Sequence, residues 1–180
     1  KMGTIKFQVD GYLEGGFPIE EEDIETITEL DYYDKLIKFI EDGNEKEAIN
    51  LFKQNLNAEF IVENISPFEE EGFEFLDVNN ISANSPYVEV IDGVKIPLFK
   101  WMGASFSLKG PKEVISNWMD KKGNTYKFNE ELFEEWMEEN GGDGLQDGCG
   151  YNLDGACFDL SGFGTNACNV NKESIEKAFN

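Results

Sequence analysis

The sequence predicts an α+β fold in which helical hairpins pack on an antiparallel β-meander of about five strands. Two observations support this class. Residues 58–109 alternate apolar and polar side chains in short runs, as half-buried strands do. The segments on either side repeat apolar residues at helical spacing. We expect a single domain over residues 2–180, with two units, 2–57 and 58–180, as the alternative.

The chain is predicted to begin with a β-hairpin. Residues 4–9 alternate as a strand does, and Asp10-Gly11 is a turn signal. Residues 12–19 are then expected to return as the second arm of the hairpin. The acidic residues 20–25 follow, and we expect them to form either an exposed loop or the charged first turn of a helix.

Two helical patterns come next, over residues 31–42 and 45–56. Each repeats apolar side chains every three or four positions, which is typical of a helix with one buried face. Gly43 lies between the two patterns and is expected to end the first helix, since glycine adopts the left-handed conformation found at helix ends. The short connection predicts a helical hairpin.

Five runs of alternating side chains predict the strands of the meander. They are Glu59–Ile65, Gly72–Val78, Tyr87–Ile91, Val94–Phe99 and Ser105–Leu108. Asp92-Gly93 separates two of these runs and predicts a tight hairpin turn. Pro67, Pro86 and Pro97 indicate turns or sheet edges, because proline cannot donate a backbone hydrogen bond.

The C-terminal part is predicted to be helical at three places. Residues 111–122 form one pattern, with Pro111 suited to a first helical turn. Together with residues 129–140 this pattern predicts a second helical hairpin, basic at its turn and acidic beyond it. Residues 172–179 close the chain as a short helix capped by Asn171. The glycine-rich segment 141–168 lies between the second and third of these helices, and we expect it to be a long ordered loop.

The helix predicted at 129–140 carries most of the functional argument. Leu132, Phe133, Trp136 and Met137 fall on one stripe, and Asn129 can cap the N-terminus. The rest of the surface carries six glutamates, namely Glu130, Glu131, Glu134, Glu135, Glu138 and Glu139. Carboxylates one turn apart are separated by about 6 Å along the helix axis, which is of the order of the phosphate spacing in one nucleic-acid strand.

The charges are segregated along the chain. The formal net charge is −22, and all 15 basic residues are lysine. Three stretches, 7–34, 54–94 and 128–171, contain no lysine and hold 29 of the 37 acidic residues. Because soluble surfaces ordinarily intersperse both signs, this distribution predicts a broad negative face if the fold brings the stretches together.

The absent residue types exclude several kinds of chemistry. Without histidine there is no Ser-His-Asp triad, and without arginine there is no bidentate clamp for phosphate. Cys149, Cys157 and Cys168 lack the spacing of a zinc site, and the aspartates of 141–168 lack the register of an EF-hand. We expect no enzyme activity, no metal and no cofactor. No apolar run is long enough to span a membrane and no signal peptide is visible, so we expect a cytoplasmic protein.

In composition the chain resembles the small acidic inhibitors of phages and mobile elements, such as antirestriction and anti-CRISPR proteins and the immunity proteins of nuclease toxins. The resemblance implies a viral or mobile-element protein that imitates a nucleic-acid backbone and blocks a basic nucleic-acid-handling protein, either a nuclease or an effector complex. Direct binding to nucleic acid is not expected, because polyanions repel this surface. The resemblance selects no individual residues, and from the charge pattern we expect the partner-binding residues to be the six helix glutamates, followed by Glu20, Glu21, Glu22 and Asp23.

Two alternatives remain open at this point. The chain could be an acidic interaction or structural module that contacts partners through the glycine-rich segment 141–168, in which case its charge serves solubility alone. A carboxylate-dependent hydrolase is the third class, and it requires a concave site flanked by two acidic residues.

Overall fold

The computed structural model describes residues 3–14, 21–56, 61–141, 151–152, 155–159 and 168–180. Its α-helices are α1 (Glu21–Thr28), α2 (Tyr33–Glu41), α3 (Glu45–Leu56), α4 (Ser66–Glu70), α5 (Lys112–Ile115), α6 (Glu130–Glu139) and α7 (Lys172–Phe179). Its strands are β1 (Thr4–Glu14), β2 (Ile61–Asn64), β3 (Glu74–Ile91), β4 (Val94–Pro111), β5 (Met119–Lys122), β6 (Thr125–Phe128), β7 (Tyr151–Asn152), β8 (Gly155–Asp159) and β9 (Cys168–Val170).

The α+β class is confirmed, and the main sheet has four strands in the order β3-β4-β1-β9. All of its strand pairs are antiparallel. Strands β3 and β4 have 18 residues each and form one long hairpin. Its turn is the predicted Asp92-Gly93, where φ is 51° and 79°. Positive φ at both central residues is the geometry that favours a tight hairpin turn.

The predicted strands of the meander are joined into fewer and longer ones. Strand β3 contains two of the predicted runs, and β4 contains two others. Residues 79–86 have the mostly polar composition of a turn, but in the structure they continue strand β3, which is irregular in this region. Its register shifts between Phe75 and Asp77 and again between Val78 and Asn80, and Ser85 has a left-handed φ of 53°.

The predicted turn at Asp10-Gly11 is wrong, because β1 continues through it to Glu14. Gly11 is buried and lies opposite Ala104 of β4 and Cys168 of β9. Pairing on both sides therefore overrides the local turn signal, and no hairpin forms at residues 4–14.

The predicted helix over residues 111–122 is also wrong in its extent. Only α5 is α-helical, and a 3₁₀ turn over Ser116–Trp118 follows it. Residues 119–128 then form the β5–β6 hairpin, with φ of +63° at Gly123 in its turn. The apolar stripe read as one helix face is largely buried, but strand pairing replaces the helical hairpin expected over 112–140.

The other predicted helices are present. The helical hairpin is α2 and α3, and Gly43 between them has a φ of +75°. The predicted strand at 59–65 is β2, which pairs in parallel with β8 in a separate small sheet. Of the helices in the described residues, none is long and apolar enough to cross a membrane.

The two ends of the β3–β4 hairpin pack against different aromatic residues. Near the turn, Phe52 of α3 packs on Phe99 of β4 with ring centroids 4.3 Å apart. At the other end, Phe73 lies so close to Gly110 that a Cβ there would be 2.3 Å from its ring. Phe99 and Gly110 are separated by about 35 Å along β4, so these two packing regions are well apart.

Candidate acidic interface

Asn129 immediately precedes α6 and fixes its start through several hydrogen bonds. Its Oδ1 accepts from the backbone N–H of Leu132 at 3.2 Å, which is an N-cap. Its Nδ2 donates to the carboxylate of Asp120 in β5 at 2.7 Å. Its backbone N–H donates to the carbonyl of Trp118 at 2.9 Å. The start of α6 is therefore fixed to the β5–β6 hairpin and to the 3₁₀ turn.

The apolar stripe of α6 packs into an aromatic cluster formed by several elements. Phe133, Trp136 and Met137 are buried, as the sequence predicts. The ring of the fully buried Trp118 lies 4.9 Å from Phe133 and 5.1 Å from Trp136. Aromatic pairs in this range contribute packing energy beyond the area that they bury. The helix is therefore held as a fixed part of the fold.

All six predicted glutamates of α6 are exposed, as listed here: Glu130, Glu131, Glu134, Glu135, Glu138 and Glu139. In the part of the chain that the structure describes, two ion pairs form, Lys95–Glu41 at 2.8 Å and Lys127–Glu176 at 4.0 Å. Neither involves α6. Among the described residues, no ion pair therefore offsets the negative charge on the surface of this helix.

The charge density of α6 is comparable with that of a nucleic acid. The helix has ten residues, so it is about 15 Å long and carries about one carboxylate per 2.5 Å of its axis. A duplex carries one phosphate per about 1.7 Å when both strands are counted, and one per about 3.4 Å for each strand. The spacing of carboxylates along α6 lies between these two phosphate spacings.

A second acidic segment lies beside α6. Phe68 of α4 belongs to the same aromatic cluster, with its ring 5.5 Å from Trp136 and 6.4 Å from Phe133. The residues that follow it, Glu69–Glu71, are exposed. The sequence shows these three acids as a run, but only the packing of Phe68 reveals that they flank the glutamate-bearing helix.

The other predicted cluster is described only in part. Glu20 lies outside the described residues, and Glu21, Glu22 and Asp23 form the first turn of α1, described at the level of the backbone. The helical alternative for residues 20–25 is thus confirmed from residue 21 onward. Helix α1 is anchored by the buried Ile27. The structure assigns no position to these acidic side chains relative to α6.

Helix α2 provides a contrast within the same molecule. Its exposed face carries Asp34, Lys35, Lys38 and Glu41. Glu41 forms the ion pair with Lys95 of β4. The hydroxyl of Tyr33 donates a hydrogen bond to the backbone carbonyl of Lys95. Burial, followed by the nearby charge of Asp34, raises the pKa of Tyr33 above its ordinary value. Here acidic and basic groups are interspersed and paired.

A shallow depression lies at the N-terminal end of α6. It is lined by Asp120, Asn129, Glu130, Glu131 and Lys172, among other residues. Within the described residues, no group of three or more acidic or cysteine side chains is placed to hold a metal ion. Most of the glycine-rich segment 141–168, including Cys149, lies outside the described residues, so the alternative interface predicted there stays a prediction.

Comparisons with known proteins give no family. No protein-family model, no curated protein and no solved structure matches the chain.

Proposed function

We propose that this protein is a non-enzymatic inhibitor that presents the glutamates of α6 to the basic groove of a nucleic-acid-handling protein. The observation that carries the proposal is the set of six exposed carboxylates on one firmly packed helix, none of which forms an ion pair with a described residue. A further run of exposed acids, Glu69–Glu71, follows Phe68, whose ring packs against the buried stripe of the same helix. Targets of this kind include nucleases and nucleic-acid-guided effector complexes, with the inhibitor acting in the cytoplasm of the host cell.

Such an inhibitor competes with the phosphate backbone for the lysines and arginines of its target. Opposite charges accelerate the encounter at low ionic strength, and added salt weakens it as the Debye length falls below about 10 Å. The backbone of α6 loses little conformational freedom on binding, because it is already fixed by its N-cap and its aromatic stripe. The target is therefore expected to release the inhibitor in the presence of salt or of a competing polyanion.

The charges of α6 offer no evident benefit to folding. Glutamates four residues apart on a helix repel one another by about 0.2–0.5 kcal/mol per pair. Glu138 and Glu139 also lie at the C-terminal end, where the helix dipole disfavours negative charge. Binding to a basic partner would compensate this repulsion and would explain why the helix carries six glutamates.

The test is a pull-down from lysate of the natural host at low salt, with two charge-matched variants beside the natural chain. The first variant changes all six glutamates of α6 to glutamine. The second changes six exposed acids around α2 and α3, as D31N, D34N, E41Q, D42N, E45Q and E47Q. Both variants move the net charge by the same amount, so they separate a local surface from charge in general.

We expect the natural chain and the second variant to capture the same nucleic-acid-handling protein, and heparin or duplex DNA to release it. The α6 variant should bind that protein at least about 100-fold more weakly, since several charge pairs are lost together. Equal weakening by both variants would show that α6 is not the contact surface. A partner that is captured equally by all three chains and resists salt would instead favour the segment 141–168.

A further inference from the structure

The β5–β6 hairpin concentrates basic residues directly beside the acidic helix. Lys121, Lys122 and Lys127 are all exposed on its two short strands. They represent a fifth of the lysines in a chain of net charge −22. The strand β6 leads into α6 through the single residue Asn129. Any surface that receives α6 lengthwise therefore also meets this hairpin.

The hairpin is held rigidly relative to α6. Asn129 caps α6 and donates to Asp120 of β5, so one side chain links both elements. On the other side, the backbone N–H of Tyr126 donates to Oδ1 of Asn180 at 2.8 Å, and Nδ2 of Asn180 donates to the carbonyl of Tyr126 at 3.0 Å. The tyrosine ring also packs against Phe179, with centroids 4.5 Å apart. The lysines and glutamates thus keep a fixed spacing.

The three lysines have different surroundings. Lys127 pairs with Glu176, and the Lys121 ammonium lies over the ring of Tyr126 at 5.6 Å. For Lys122, no acidic or aromatic partner is found among the described residues. Alternation along β5 places Lys122 on the same face as Asp120, which lines the depression with Glu130 and Glu131. The Cα of Lys122 is about 10 Å along the strand from Met119, where β5 begins.

This arrangement specifies the chemistry of the partner. If α6 occupies a groove that binds phosphates, the neighbouring lysines must face groups of negative charge at the end of that groove. Carboxylates beside a phosphate-binding groove repel the substrate unless a metal ion neutralises them. Enzymes that cleave or form phosphodiester bonds have this combination, because they use bound divalent cations to stabilise the reacting oxygens.

We propose that the β5–β6 hairpin enters the carboxylate-lined metal site of such an enzyme and that the Lys122 ammonium occupies a cation position there. This inference rests on the proposed function of α6 and adds the class of its partner, a metal-dependent enzyme acting on nucleic acid. Glutamates then replace phosphates, and lysines replace the metal ions, in one rigid surface.

The experiment compares three chains in binding to the protein captured through α6. The variant K121Q/K122Q removes both charges from the end of the hairpin. The control K46Q/K53Q removes two exposed lysines of α3 and has the same net charge. Affinities are measured in sodium chloride alone and with millimolar Mg²⁺ at equal ionic strength. Nuclease or polymerase activity of the captured protein is assayed in parallel.

We expect K121Q/K122Q to bind about tenfold more weakly than the natural chain, and K46Q/K53Q to bind nearly unchanged. Mg²⁺ should weaken the natural chain and the control beyond the effect of ionic strength, because it competes with the lysines, while K121Q/K122Q should show no such extra loss. The captured protein should need a divalent cation for its activity.

The outcomes separate this inference from the proposal on which it rests. Binding that depends on α6 but is insensitive to K121Q/K122Q and to Mg²⁺ would overturn the metal-site inference and leave the proposed function intact. Stronger binding by K121Q/K122Q would do the same, since it would show that the lysines face a basic surface. Capture that is independent of α6, or no capture at all, would overturn both.

Discussion

Helices α2 and α6 are both amphipathic and each buries its apolar face, but they differ in the charged residues that they expose to solvent. Helix α2 carries two acids and two lysines, and its Glu41 pairs with Lys95. Helix α6 carries six acids and no lysine, and none of its glutamates forms an ion pair with a described residue. The fold accepts a balanced surface at α2, so the charge of α6 is not a requirement of packing. This difference is the reason for assigning the binding surface to α6.

The largest expected effect tests how α6 is attached. Trp118 is fully buried among the rings that hold α6, so Trp118→Ala should destabilise the fold by about 3–5 kcal/mol. Hydrogen exchange should show greater loss of amide protection in α6 than in α2. Trp118→Phe is the matched control. It should cost less, because the indole N–H has no hydrogen-bond partner among the described residues and is removed with the ring.

The second-largest effect is expected at the N-cap of α6, a side-chain cap that α2 does not have. Asn129→Ala should destabilise the protein by about 1–2 kcal/mol, because it removes an N-cap and the hydrogen bond to Asp120. Chemical denaturation measures this change. Tyr32, at the corresponding position of α2, makes no side-chain cap, and Asn50→Ala, at an exposed position inside α3, provides the comparison because it removes the same atoms. An equal cost for both substitutions would mean that Asn129 has no special role.

Neutralising α6 should stabilise the fold slightly. Four pairs of its glutamates are four residues apart, so replacing all six by glutamine should raise the free energy of unfolding by about 1 kcal/mol. Added salt should raise the stability of the natural chain more than that of the variant, because the repulsion is screened. The six-acid variant around α2 and α3 should show no such gain. A loss of stability in the α6 variant would contradict the claim that its charges are unfavourable for folding.

The smallest effect is expected for the ion pair of α2. Both partners are half exposed, so Glu41→Gln should cost less than about 1 kcal/mol. Lys95→Met is the companion substitution, and the double variant measures the coupling between the two residues by denaturation at low and high salt. A coupling well above this value would mean that the charges around α2 have a structural role absent from α6.

Much of the helical structure follows from the sequence alone. The stripe of Phe133, Trp136 and Met137, with Asn129 before it, determines α6 through local spacing and a cap. The exposure of the six glutamates follows from the same spacing. These features depend on residues within a few positions of one another, which is the range over which periodicity is informative.

The errors of the sequence-based prediction come from strand pairing and tertiary packing. Asp10-Gly11 is a turn signal in isolation, but β4 and β9 hold it extended. The stripe at 111–122 fits a helix, but pairing of Met119 with Phe128 forms a β-hairpin instead. The position of Glu69–Glu71 beside α6 depends on Phe68 reaching Trp136. Strand pairing and tertiary packing of this kind are not encoded in the spacing of apolar residues along one segment.

The irregular outer strand of the main sheet has a consequence for the behaviour of the protein in concentrated solution. Strand β3 lies at the edge of the described sheet, and long regular edges act as templates for aggregation. The two register shifts, the left-handed Ser85 and the missing N–H of Pro86 interrupt the row of backbone donors along that edge. We therefore expect the protein to stay dispersed when it is concentrated in high salt, where its charge no longer keeps the molecules apart.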